Sequence, residues 1–205
     1  MLVVIVESTL RSRNRNALSS GPDNLGSSAM RPLALLPAGP NGAGKSTSRQ
    51  RLVPPGVVFP NADVEAARLM SEGHPAAGMD IAAGRAVLAA LTALVSARRS
   101  FCLETNLAGR GLVRSVTSWQ AAGFLVRLHF VGLRTPELAL ARVAERVAVG
   151  GHDVPEDVVR RRWQAGLSSL FQVYMALVDA WSIVDNSEEV LAHVGWGERG
   201  PHGNS

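Results

Sequence analysis

Lysine is almost missing from this 205-residue chain: of 21 basic residues, all but Lys45 are arginine. Cysteine occurs once, at Cys102, which excludes an intrachain disulfide and any metal site built from several thiolates. Long hydrophobic runs are lacking too. The apolar stretches at 1–6, 57–59 and 124–131 fall well short of the roughly 20 residues needed to cross a bilayer. The first residues carry neither a basic n-region nor a small-residue cleavage site that would mark a signal peptide. A cytoplasmic location without membrane association is the expectation.

Basic residues exceed acidic ones by only 21 to 17, and the excess is spread along the chain, so nucleic acid is not an expected partner. The lone lysine is more informative. In a chain that uses arginine wherever a generic cation will do, the one ammonium marks a place where a compact point charge has to fit among phosphates.

With 46% of its positions apolar, a chain of this length buries one sizeable core and reads as one domain. Residues 1–29 differ in character: Arg11, Arg13 and Arg15 are followed by Asn, Ser and Gly, with no periodicity after Leu10. They are expected to form a disordered leader. Met30 opens directly into an apolar run and is a candidate start, with the upstream stretch an over-extended reading frame. Residues 30–193 are read as the folded domain, and 194–205, rich in Gly and polar residues, as a flexible tail.

Inside the domain, short apolar runs at 33–36, 57–59, 101–103, 124–131 and 181–184 predict strands. They alternate with helical patterns at 44–52, 64–71, 77–98, 112–122, 136–149 and 155–178. Thr135-Pro136-Glu137 supplies an N-cap, a proline at the first helical position and an early acidic residue. The alternation predicts an α/β fold: a parallel sheet of about five strands with helices on both faces.

Gly39-Pro40-Asn41-Gly42-Ala43-Gly44-Lys45-Ser46, followed by Thr47, matches the Walker A pattern between an apolar run and a helical one, the context the pattern requires. Glycines let the backbone turn its N–H groups inward, and the helix N-terminus adds partial positive charge, so such a loop binds oxyanions. Lys45 is expected to reach the β- and γ-phosphates of ATP, and the Ser46 hydroxyl to ligate Mg²⁺.

In doubly wound sheets the working residues collect at the carboxyl ends of the strands. Asp63 follows the second apolar run, and Glu104 with Thr105 follows the third. A carboxylate facing the γ-phosphate takes the proton from an attacking hydroxyl, so Asp63 is the candidate base, with helix capping as the plainer role. Glu104 is a candidate for a substrate hydroxyl or for Mg²⁺ through water. Further on, Arg146, the pair Gly150-Gly151, His152 and the run Arg160, Arg161 and Arg162 suggest a helical lid whose arginines neutralise charge during phosphoryl transfer. Residues one apart on a helix do not share a face, so most of the arginine run is expected to face solvent. Asn186, after the last predicted strand, is a candidate contact for the adenine base or a plain turn residue.

Taken together, residues 40–47, Asn61-Ala62-Asp63, Ala83-Gly84-Arg85, Glu104-Thr105 with Gly109-Arg110, Arg142 to Arg146, Gly150-Gly151-His152 and Asp185-Asn186-Ser187 resemble the zeta toxin family of P-loop kinases, in its stand-alone chromosomal branch. The resemblance spans roughly 31–187. It implies a P-loop NTPase/kinase fold and phosphorylation of a nucleotide sugar, UDP-N-acetylglucosamine, at a sugar hydroxyl. It also implies that Lys45 and Ser46 hold ATP and Mg²⁺, that Asp63 is the general base, that Arg146 contacts the transferring phosphate, and that Glu104, with Thr105 and Arg110, binds the acceptor. An antitoxin protein is the partner such toxins have. Where plasmid-borne members carry a second arginine, counting back from Pro155 gives His152 here, which shifts that role toward Arg160, Arg161 or Arg162.

Three rival readings stand beside this one. An ABC-type ATPase shares the loop, but the chain has no Leu-Ser-Gly-Gly-Gln signature. A kinase for another acceptor, such as an antibiotic, another sugar or a polynucleotide end, would use the same loop and base. A nucleotide-binding regulator would hold ATP without transfer.

Overall fold

A computed structural model of the protein describes residues 31–75 and 77–199, with the backbone alone for Gln50, Arg51, Leu52, Asp63 and Asp80. The expected leader at 1–29 lies outside the described residues, as does 200–205.

Five strands form the sheet: β1 (Leu33–Ala38), β2 (Phe101–Cys102), β3 (Leu125–Gly132), β4 (Ala180–Asp185) and β5 (Ala192–Glu198). Their order is β2-β1-β3-β4-β5. The first four are mutually parallel, and β5 runs antiparallel to β4 along its outer edge. This strand occupies much of the stretch expected to be a flexible tail. Gly195 and Gly197 dilute its β-pattern in the sequence, but pairing with β4 supplies the order that propensity does not. The apolar run at 57–59, expected to be a strand, contributes a single bridge from Val58 to Phe101. Pro54, Pro55 and Pro60 flank it and remove the donors a longer ladder needs.

The helices are α1 (Lys45–Leu52), α2 (Ala62–Ser71), α3 (Met79–Ser96), α4 (Val113–Ala121), α5 (Pro136–Ala148) and α6 (Glu156–Ser169). Helix α5 starts as its sequence predicts: the Thr135 side chain accepts from the Leu138 N–H at 3.2 Å, with Pro136 as first residue. Helix α6 runs on through a π-helical stretch at Leu170–Tyr174 and a last turn, Met175–Leu177. No described helix is long and apolar enough to cross a membrane.

Side chains alternate across a strand, so one face of the sheet collects Ala34, Leu36, Val126, Leu128 and Phe130. These pack with Leu91 of α3, Val116 and Trp119 of α4, and Leu167, Leu170 and Tyr174 at the end of α6. Phe101 meets Trp119 edge to face, with centroids 4.9 Å apart. Cys102 is buried, and burial pushes its thiol up to about 12, so it is an inert core residue. A second apolar cluster, Ala43, Val131, Leu133, Ala139, Val143, Val159 and Val184, lies at the carboxyl ends of β3 and β4. It seats α5 and α6 beside the glycine-rich loop. Burying Val143 and Val159 there is worth about 1.5–3 kcal/mol each.

Candidate active site

Strand β1 delivers the chain to Gly39, which sits at φ 140. A Cβ at this position would lie 2.1 Å from the Val131 carbonyl oxygen, so only glycine lets the loop press against β3. The loop is then fastened from three sides. Gly39 N–H donates to the Thr105 carbonyl at 3.2 Å, Asn186 Nδ2 donates to the Ala43 carbonyl at 2.9 Å, and Gly44 turns left-handed into the N-terminus of α1.

Lys45 folds back into this cradle. Its Nζ donates to the carbonyls of Gly39 at 3.0 Å and Pro40 at 2.9 Å, and to Asn106 Oδ1 at 3.1 Å. Burial lowers its pKa from 10.5 to about 8; Glu104 opposes that shift, while Arg146 and Arg162 add to it. An ammonium held this way is short of negative charge, and a bound anion would relieve it.

A cleft of about 720 Å³ opens over the loop, a size suited to a cofactor or small-molecule site. One wall is the loop itself. Glu104, Thr105 and Asn106, beyond β2, form another, and Ala62 at the start of α2 closes a third side. The lining is completed by Arg142 and Arg146, one turn apart on one face of α5, and Arg162 of α6. Arg162 Nη1 reaches Asn41 Oδ1 at 3.3 Å, and Arg146 Nη2 donates to the His152 carbonyl at 2.6 Å. Ser46 Oγ donates to Glu104 Oε2 at 3.2 Å. A hydroxyl beside a carboxylate is a hard-oxygen pair that suits Mg²⁺, which binds through few protein ligands and keeps water and phosphate oxygens.

Not every residue expected at the site reaches it. Of the three consecutive arginines only Arg162 lines the cleft. Arg160 pairs with Glu137 and Glu156, and Arg161 faces solvent near Asp157, because successive helical residues point about 100° apart. The His152 side chain is exposed and does not line the cleft; its main-chain carbonyl positions Arg146. Arg110 borders a separate depression with Val113 and Gln172. Asn186, read as a base contact or a plain turn residue, donates from its amide to the Ala43 carbonyl of the loop. Asp63 is the second residue of α2, next to Ala62, so it lies inside the first turn and not at the cap; its side chain lies outside the described ones.

Two residues to which the sequence reading gave no role of their own, Arg142 and Asn106, enter the cleft. Arg142 carried a readable signal, its four-residue spacing from Arg146. Asn106 carried none, because its place depends on α6: a Cβ on Gly166 would lie 2.8 Å from the Asn106 carbonyl oxygen, so the glycine lets that helix come close enough to hold the Asn106 loop against Lys45.

The family model AAA_33, an AAA domain, matches residues 35–173. The chain belongs to that family. An uncharacterized protein of Haemophilus influenzae is 30% identical to this AAA domain protein over 130 residues, which span 63% of this chain and 91% of the relative. Among solved structures, one from the PezAT chromosomal toxin–antitoxin system of Streptococcus pneumoniae superposes with a TM-score of 0.57 at 19% identity, covering 89% of this chain and 76% of that one. AvrRxo1-ORF1:-ORF2 with ATP gives a TM-score of 0.61 at 16% identity, covering 95% and 64%. Likeness at these identities shows a shared fold, the P-loop NTPase/kinase fold expected from the sequence.

Proposed function

We propose that this protein is an ATP-dependent kinase of zeta-toxin type, which transfers the γ-phosphate to a hydroxyl of a small acceptor. One observation carries the reading: Arg142, Arg146 and Arg162, from two helices, line the same cleft as Lys45, Glu104 and Ala62 of the first turn of α2. A protein that merely holds a nucleotide needs the cradle. Three further cations lining the cleft suit a phosphoryl group whose charge spreads over its outer oxygens as it moves.

In this account Lys45 and the arginines hold the β- and γ-phosphates, and Asp63, carried on the first turn of α2, takes the acceptor proton. Ser46 and Glu104 would hold Mg²⁺, which would supply positive charge to offset that of the phosphates. The acceptor suggested by the zeta-toxin resemblance is a nucleotide sugar, UDP-N-acetylglucosamine. A kinase for a different acceptor is the alternative, since the same loop and wall would serve it. Likeness to a toxin–antitoxin structure makes an antitoxin the candidate protein partner, and a cytoplasmic location goes with that role.

The test is incubation with Mg-ATP and an acceptor panel that includes UDP-N-acetylglucosamine, read by mass spectrometry for a product heavier by one phosphoryl group. Asp63→Asn should keep ATP affinity and lower the rate by roughly a hundredfold or more. An unchanged rate in that variant refutes the catalytic assignment.

A further inference from the structure

A lysine ammonium has three N–H donors and no acceptor. On Lys45 all three are in use: Nζ donates to the Gly39 carbonyl at 3.0 Å, to the Pro40 carbonyl at 2.9 Å and to Asn106 Oδ1 at 3.1 Å. A phosphate oxygen entering the cleft therefore takes a hydrogen bond from Nζ only by displacing one of these acceptors. Which one yields depends on how each is held.

Two of the three are main-chain atoms of the loop. Gly39 is pinned by its own N–H, bonded to the Thr105 carbonyl at 3.2 Å, and by the Val131 main chain pressed against its α-carbon. The Pro40 carbonyl also accepts from the Ala43 N–H at 3.3 Å, and the proline ring fixes the backbone there. Turning either carbonyl away would open the loop itself. Asn106 is held at its backbone alone. Its neighbour Leu107 is buried at φ 55, a left-handed conformation uncommon outside glycine, and donates its N–H to Thr105 Oγ1 at 3.0 Å. On the other side Gly166 packs so close that a Cβ would lie 2.8 Å from the Asn106 carbonyl oxygen. The Asn106 side chain is half-buried on the cleft lining, and rotation about its two side-chain torsions carries Oδ1 away from Nζ with no movement of the main chain.

We propose that Asn106 is a positioning residue that stands in for a phosphate oxygen: it occupies the third donor of Lys45 in the empty protein and gives up that donor to the β- or γ-phosphate when ATP enters. The inference rests on the reading of the loop as an ATP site and adds to it the residue that yields. A neutral acceptor is exchanged for an anionic one, and the charge-assisted bond is the stronger of the two. The exchange lowers net affinity, because the empty state is stabilised by a bond that the complex lacks. Removing the Asn106 oxygen should therefore destabilise the empty protein and leave the complex as it was. A residue that only shapes the loop would destabilise both.

Asn106→Ala tests this in the full-length protein, with Mg²⁺ and a non-hydrolysable ATP analogue as the probe. Titration calorimetry should show the analogue binding roughly 5- to 30-fold more tightly than to the wild type. The empty variant should melt about 3–6 °C below the empty wild type, while the two saturated proteins melt together. Asn106→Asp keeps the oxygen and adds charge to it, so it should do the reverse: the empty protein melts higher and the analogue binds more weakly. It carries the test if Asn106→Ala does not fold. An Asn106→Ala protein that binds the analogue no more tightly than the wild type, melting points that fall equally with and without the analogue, or an empty Asn106→Asp protein that melts lower than the wild type overturns the assignment. Failure of the wild type to bind the analogue at all would instead sink the ATP reading, and this inference with it.

Discussion

Binding of ATP should draw a proton onto the protein at alkaline pH, and Lys45 sets the amount. Its pKa of about 8 in the nucleotide-free cradle, against 10.5 for a free lysine, has burial as its main cause, with Arg146 and Arg162 adding to it and Glu104 opposing. Converted at about 1.36 kcal/mol per tenfold change, the charged ammonium costs the empty fold about 3 kcal/mol. The sign follows from proton counts: between about pH 8 and 10.5 the unfolded chain holds a proton that the folded one has released. The cost is therefore fully present below about pH 8, and stability of the empty protein rises with pH across that window. A triphosphate laid against Nζ restores the high pKa, so the complex keeps its proton. At pH 9 about nine in ten empty molecules have an uncharged Lys45 and should take up about 0.9 proton on binding; at pH 7 the figure should be about 0.1. Calorimetry of ATP binding in two buffers of different ionisation enthalpy measures this directly. ATP affinity should fall by up to about tenfold per pH unit above pH 8. Uptake near zero at pH 9, with affinity flat from pH 7 to 9.5, would refute the assignment of a desolvated lysine to the phosphates.

The arginine run offers a sharper contrast. Arg162→Ala should lower kcat by roughly a hundredfold, the scale for a lost charge-stabilising donor, while Arg161→Ala, which loses only an exposed pair at 3.7 Å, should stay within about twofold; equal losses would mean that the wrong helix face has been assigned. Asn186→Ala removes the bond to the Ala43 carbonyl and should loosen the loop by about 1–2 kcal/mol. The dissociation constant for ATP, measured by fluorescence titration, should rise roughly 5- to 30-fold, and no change would show that the loop holds its shape unaided.

Local signals carried the sequence reading wherever geometry is local. The loop, its strand and its helix are set by consecutive residues, and the cap at Thr135 by three. The reading weakened where distant parts meet. Strand β5 depends on β4 for its pairing, so its glycines read as a tail. Which arginine of Arg160 to Arg162 turns inward depends on the rotation of α6, and the Val159 and Trp163 contacts that set it come from β3, β4 and α5. Nothing in the sequence singled out Arg49, whose guanidinium lies over the Phe59 ring, because that ring arrives from a stretch with almost no regular structure.

Tyr174, the single tyrosine of the chain, donates from its hydroxyl to the Gly109 carbonyl at 2.9 Å and accepts from the Leu112 N–H at 3.3 Å, within the π-helical stretch that ends the long rod begun by α6. The rod is moored at that end, and Arg162 lies toward the other. The mooring also grips the segment leading away from Glu104 and Asn106, so tilting the rod would tug on the residues that flank Lys45.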